Sequence, residues 1–374
     1  MNPRGLYTLF FTEMWERLGY YGVRALLMLF MVEAKVRGGL GLSVETAAAV
    51  YGLYTSAAYL AALPGGWVAD RLLGARRAVW CGGILIAAGY FTLAVPRTEP
   101  FFLGLSLVVI GTGLLKPNVS VMVGELYPEG GARRDAGFTV FYMGVNLGAA
   151  LGPLVCAALQ VRFDWHWGFA AAGIGMVLGL VQFALTGRHL GAVGQPPACT
   201  QRRTRDWYVV GGALGELVLL VGLGASGRVR IEAVVVARWA AVVILGLAAV
   251  YFLAAFCLFG LTPAERKRVL AILVLFLAAT LFWAGFEQAG SSFNLFAQEH
   301  TQRTVHMPSL GGTGGQAYVV PAGWFQSLGA VFVITLAPVT AAFWLRIARR
   351  GVDPSAPAKF GLGLILLGDR KSVV

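Results

Sequence analysis

Apolar runs of about twenty residues recur along this chain, and a helix of that length crosses roughly 30 Å of hydrocarbon. Ten are legible, at residues 6–31, 46–69, 77–95, 100–124, 136–160, 166–187, 207–225, 234–259, 269–297 and 322–345, and an eleventh starts at Lys359. Lipid offers the backbone no hydrogen-bond partners, so each run must satisfy its own carbonyls and amides as a helix. The expectation is an all-α membrane protein. Composition agrees, with 57% of the 374 residues hydrophobic and 13% charged. The first run contains Glu13, Glu16 and Arg17, unlike a cleaved signal peptide, and reads as a retained helix.

A net charge of +12 would make nucleic acid a candidate partner for a soluble protein. Here no basic stripe with interleaved aromatics occurs, and the basic residues sit in short connections between runs. Assigning alternate connections to each side gathers Arg76-Arg77, Arg133-Arg134, Arg202-Arg203 and Arg266-Lys267-Arg268 on the side of the N-terminus. The positive-inside rule then places that side in the cytoplasm; Arg228 and Arg230 run against the trend. The stretch from Arg188 to Arg205 reads as a linker, runs 207–225 and 234–259 as a closely spaced pair, and Gln298 to Val320 as a long outer loop. Gly311, Gly312, Gly314 and Gly315 make no phosphate cradle, since no strand is expected before them and no helix with Lys-Ser or Lys-Thr follows. Cys81, Cys156, Cys199 and Cys257 form no CxxC pair and read as small core residues. The four histidines lack metal-ligand spacing, and no Ser, His and Asp set points to hydrolysis, so neither an enzyme nor a cofactor is expected.

Charges at bilayer depth are the chemical signal, because each disfavours insertion by about 2.5 to 3.5 kcal/mol or more. At 100° per residue Glu13, Arg17, Tyr20 and Arg24 share one narrow face of the first helix, with Glu16 and Tyr21 at its edges. Such a face points into a bundle or a wet cavity. Its several titratable groups beside paired tyrosines fit a site that exchanges protons and binds a charged solute better than mere helix glue. Lys116, in the fourth run and followed by Pro117, needs a carboxylate, and an ion pair with Glu16 is expected. Glu287 stands in an apolar run with Ser291, Ser292 and Asn294 after it, and is a candidate proton carrier.

These residues resemble a family. Glu13-Met-Trp-Glu16-Arg17-Leu18-Gly19-Tyr20-Tyr21 is similar to the ExxERFxYY motif of the proton-dependent oligopeptide transporters, the POT or PTR branch of the major facilitator superfamily. Phe141-Tyr-Met-Gly-Val-Asn146-Leu-Gly148 resembles its FYxxINxG signature, and Gly66-Trp-Val-Ala-Asp70-Arg71 the superfamily's loop between helices two and three. Gly111 to Asn118 and Trp324 to Leu328 are also family-like. The resemblance implies proton-coupled symport of di- and tripeptides across the cell membrane by a monomer, without a cofactor beyond the coupling protons. It implies a proton-coupling set of Glu13, Glu16, Arg17, Lys116 and Glu287, and a substrate set of Arg17, Tyr20, Tyr21, Arg24, Tyr59, Lys116 and Asn146. Gly66, Asp70 and Arg71 would belong to the gating loop.

The implied organisation is a major facilitator type bundle: a six-helix N-terminal half over 1–188, a linker and two-helix insertion over 189–262, and a truncated C-terminal half over 263–374. Leu18 stands where the motif has Phe, and Gly329 where the family has Asn. Phe360 to Leu367 gives about eight apolar residues before Gly368-Asp369-Arg370-Lys371, too few to span. A truncated product is therefore expected. Two rival readings stay open: a carrier of another small anion such as nitrate, and a fragment that does not transport.

Overall fold

The computed structural model describes residues 3–196, 232–307 and 316–348, with isolated positions between 206 and 215 and between 355 and 365. Its helices are α1 Arg4–Val32, α2 Val44–Leu60, α3 Ala62–Val68, α4 Ala75–Leu93, α5 Thr98–Glu125, α6 Gly131–Arg162, α7 Trp165–Thr186, α8 Ala233–Leu258, α9 Pro263–Phe286, α10 Ser292–Glu299 and α11 Ser327–Ala348. The expected run at 207–225 and the one beginning at Lys359 fall largely outside the described residues, as do Cys199, Arg202, Arg203, Arg205, Arg228 and Arg230. Seven helical stretches among the described residues are long and apolar enough to cross a membrane. With 29 residues, α1 is about 43 Å long, enough to span, but its charges set it apart from those seven.

Local chemistry sets the ends and breaks. Asp164 caps α7 by accepting from the amides of His166 and Trp167 at 2.8 and 3.1 Å. A reciprocal capping box of Thr262 and Glu265, with Pro263 in the first turn, starts α9. The run expected at 46–69 lies within one apolar helical stretch, Val44–Leu73, interrupted only at Ala61, where the Leu60 carbonyl would need the N–H that Pro64 lacks. The run expected at 269–297 likewise lies within one stretch, Pro263–Glu299, which tightens into a 3-10 turn at Glu287–Gly290 between α9 and α10. By contrast α5 runs unbroken through Pro117. The Gly113 carbonyl that this proline leaves without a helical partner abuts Gly65, where a Cβ would lie 2.0 Å from it. Gly65 is thus a point of close helix packing, while Gly66 faces open space.

Three further expectations are corrected. The loop from Gln298 to Val320 carries a hairpin, β1 Thr304–Met307 pairing antiparallel with β2 Gln316–Val319, so a strand does precede the glycines, which themselves lie outside the described residues. The start of the supposed linker is a docked strap. Gly187–Leu190 forms a 3-10 turn, the Arg76 side chain donates to Gly187 O at 2.8 Å, and the Gly194 amide donates to Glu125 at 2.8 Å. Of the described cysteines only Cys156 is buried, while Cys81 and Cys257 are exposed.

Two units are distinguishable, residues 1–243 with 290–330, and residues 244–289 with 331–374. In the first unit α1 runs against α6 with almost no side chain between them. A Cβ at Gly148 would come within 2.3 Å of Met14 O, and one at Gly152 within 2.2 Å of Leu18 O. Backbones in such contact gain dispersion and helix-to-helix complementarity that bulkier residues forbid. Gly152→Val is expected to destabilise the protein by about 1 to 3 kcal/mol through overpacking, read as a lower midpoint in thermal unfolding of the detergent-solubilised chain; an unchanged midpoint would contradict this packing. In the second unit the described helices present apolar side chains outward, as lipid contact requires.

Candidate functional site

The charged face of α1 is buried within the first unit. Glu13 and Arg17 are each 4% exposed and Glu16 is fully buried. Arg17 Nε lies 3.2 Å from Glu13 Oε1, and it also donates to Glu16 Oε2. Two carboxylates thus share one guanidinium, as the helical spacing of Glu13 and Arg17 allows. Glu13 Oε2, Glu16 Oε1 and Arg17 Nη2 have no hydrogen-bond partner among the described residues. Buried polar atoms in that condition mark a place where water or a solute completes the bonding.

Around this cluster stand tyrosines from three helices. Tyr20 stacks on Tyr54 of α2 at 6.3 Å, and the Arg17 guanidinium lies 4.9 Å from the Tyr20 ring centre. Tyr90 of α4 packs so closely on α1 that a Cβ at Gly19 would touch its ring. One turn further along α1, Arg24 Nε donates to Tyr51 Oη at 2.7 Å. Tyr21 packs edge-on against Tyr20 at 5.3 Å and lies against Ala149, Ala150 and Ala330.

Lys116 of α5 faces the same place. Its ammonium lies 4.4 Å from the Tyr59 ring centre, and Arg17, Tyr20, Ala58, Tyr59, Thr112 and Lys116 line one narrow, tightly closed cleft. Arg17 and Lys116 thus border one cleft. Glu16 engages Arg17, and Lys116 sits over Tyr59. Asn146 is buried, but its amide donates to the Tyr142 carbonyl on its own helix at 3.0 Å and does not line this cleft. Asp70 and Arg71 are exposed on the π-helical segment Ala69–Leu73 that continues α3. Glu287, half-buried, belongs to the second unit.

Tyr51, Tyr54, Tyr90 and Thr112 escaped the sequence reading. The first two had a signal: with Thr55 they repeat polar groups at three- and four-residue spacing on an apolar helix. Tyr90 had none of its own, since its place is set by the gap at Gly19. Chemically, the site offers two cations, two carboxylates and several hydroxyls in one buried cluster. That set can hold an anion and exchange a proton. No group of three or more His, Cys, Asp or Glu suited to a metal occurs among the described residues.

Comparison with known proteins adds independent findings. The sequence pattern described as "POT family" matches residues 76–368. A peptide transporter of Yersinia enterocolitica is 39% identical over 377 residues, covering 97% of this chain and 71% of that protein. A di-/tripeptide transporter of Lactococcus lactis is 34% identical over 98% of this chain and 74% of its own length. Among solved structures, a peptide transporter POT in complex with sulfate superposes with a TM-score of 0.80 at 41% identity, over 96% of this chain and 72% of that one.

Proposed function

The chain belongs to the POT family, and on that premise we propose that it carries di- and tripeptides across the cell membrane together with protons, by alternating access to a midplane site. The observation that carries the reading is the buried cluster of Glu13, Glu16 and Arg17, whose Arg17 borders the same cleft as Lys116. With both carboxylates ionised, the formal charges of these four side chains sum to zero. One added proton leaves a net positive cleft, which favours a carboxylate-bearing solute. Binding of proton and anion are thereby linked, because each lowers the unfavourable charge left by the other.

In this reading Glu13, Glu16, Arg17 and Lys116 form the proton-coupling set, with a Lys116 to Glu16 pair gained or lost as the carrier changes state, and Glu287 serves proton movement on the second-half side. Arg17 and Lys116 receive the peptide carboxylate, with Tyr20, Tyr21, Arg24, Tyr59 and Asn146 bordering the path. Gly66, Asp70 and Arg71 act in gating at the cytoplasmic end, and the N-terminus is cytoplasmic. The domain plan follows: a six-helix half over 1–188, an insertion over 189–262 and a second half from 263.

The test is uptake into vesicles containing the purified chain, with an imposed proton gradient and labelled alanylalanine. Accumulation that collapses when the gradient is dissipated, and that unlabelled tripeptide suppresses while nitrate does not, is expected. Suppression by nitrate and not by peptide would assign the carrier to another anion, and no gradient-dependent uptake would overturn the reading for this chain.

A further inference from the structure

Threonines inside helices ordinarily turn their hydroxyl back onto the carbonyl four residues earlier. In this protein Thr12, Thr55, Thr92, Thr139, Thr280 and Thr340 all do so, at 2.7 to 3.0 Å. Thr112, in the middle of α5, does not. It is 2% exposed, and its Oγ1 has no hydrogen-bond partner among the described residues. It lines the cleft that Arg17, Tyr59 and Lys116 also line. Thr112 and Lys116 are four residues apart, so both project from one face of α5. Arg17 brings a second orphaned donor to the same cleft, its Nη2.

A buried hydroxyl that forgoes the carbonyl available on its own helix is unfavourable unless something else accepts its hydrogen. We infer that Thr112 is a substrate-binding residue, whose hydroxyl donates to the carboxylate received by Arg17 and Lys116. Two cations attract a carboxylate without fixing its orientation, whereas a hydroxyl rigidly held on a helix accepts only one approach. A carboxylate has about four lone-pair sites, enough for a guanidinium, an ammonium and a hydroxyl together. The inference rests on the carrier reading for its peptide substrate, though the anion chemistry of the cleft stands apart from it.

Binding of three probes to the purified chain in detergent tests it: alanylalanine, its C-terminal amide, and acetate. Thr112→Val, which keeps the shape and removes the hydroxyl, is expected to weaken alanylalanine about tenfold and to leave the weakly bound amide unaffected. Thr112→Ser should bind alanylalanine close to wild type, and Thr112→Ala serves as a second hydroxyl-free variant should the valine one fold poorly. Equal binding of alanylalanine by the wild type and both hydroxyl-free variants overturns the inference, as does an equal loss for the acid and the amide. If the wild type binds acetate and neither dipeptide probe, the peptide reading falls while acetate binding by the same variants decides the role of Thr112. Binding of none of the three overturns both.

Discussion

Concentrative uptake is expected to vanish when Glu16 is replaced by glutamine. With one proton per solute, each unit of imposed pH difference supports about a tenfold accumulation ratio, since 1.4 kcal/mol corresponds to a factor of ten. A carrier that cannot take up the coupling proton brings its solute only to equal concentrations on both sides. Glutamine keeps the size of Glu16 and an oxygen that accepts from Arg17, but it cannot ionise, and Glu16 is fully buried against that guanidinium. Glu13→Gln and Lys116→Ala are expected to act in the same direction, because each removes one charge from the balanced cluster. The measurement is the final inside-to-outside ratio of labelled alanylalanine at a fixed pH difference, with monodisperse elution of each variant showing that it is folded. Wild-type accumulation by all three variants would dismiss the cluster as a coupling site.

How much of this was legible beforehand depended on the physical scale of each feature. The major facilitator type bundle was readable because lipid forces long apolar helices and makes each interruption conspicuous. Glu13, Arg17 and Lys116 were readable for the same reason, since a charge at bilayer depth demands a partner. Tyr54 and Tyr90 were not, because tyrosine is tolerated on an apolar helix and only its neighbours in space give it meaning. The interruption at Ala61 could have been taken from Pro64, whose missing N–H removes a helical bond. The strands Thr304–Met307 and Gln316–Val319 are four residues each, too short for a period-two pattern to stand out. The strap from Gly187 to Gly194 is held through backbone groups of glycines, Gly187 O and the Gly194 amide, which carry no side-chain signature at all.

A valine at Gly290 is expected to prise open one end of the first unit. There residues 290–299 and 322–327 seat on α1, α2 and α6, and a Cβ at Gly290 would lie 2.0 Å from Tyr51 Oη and 2.6 Å from Arg24 Nε. The seat is fastened by three side chains that donate to main-chain carbonyls: Asn294 to Ala25 at 2.8 Å, Trp324 to Leu154 at 3.1 Å and Ser327 to Ala150 at 2.7 Å. Each of those carbonyls lies inside a helix and has a helical amide four residues ahead of it. Parting the seat therefore orphans no acceptor on α1 or α6, and the freed donors meet water as they leave, so these contacts are suited to repeated making and breaking. Overpacking of about 1 to 3 kcal/mol at Gly290 falls on this weak seat before it reaches the tightly packed contact of α1 with α6. A single cysteine at Ser327, which is 3% exposed in the seated arrangement, reports the change in a chain whose native cysteines are replaced. Its labelling by a water-soluble thiol reagent should be slow with Gly290 and about tenfold faster or more with Gly290→Val. Equal labelling rates would mean that the close approach of Gly290 to Arg24 and Tyr51 does not hold this end shut.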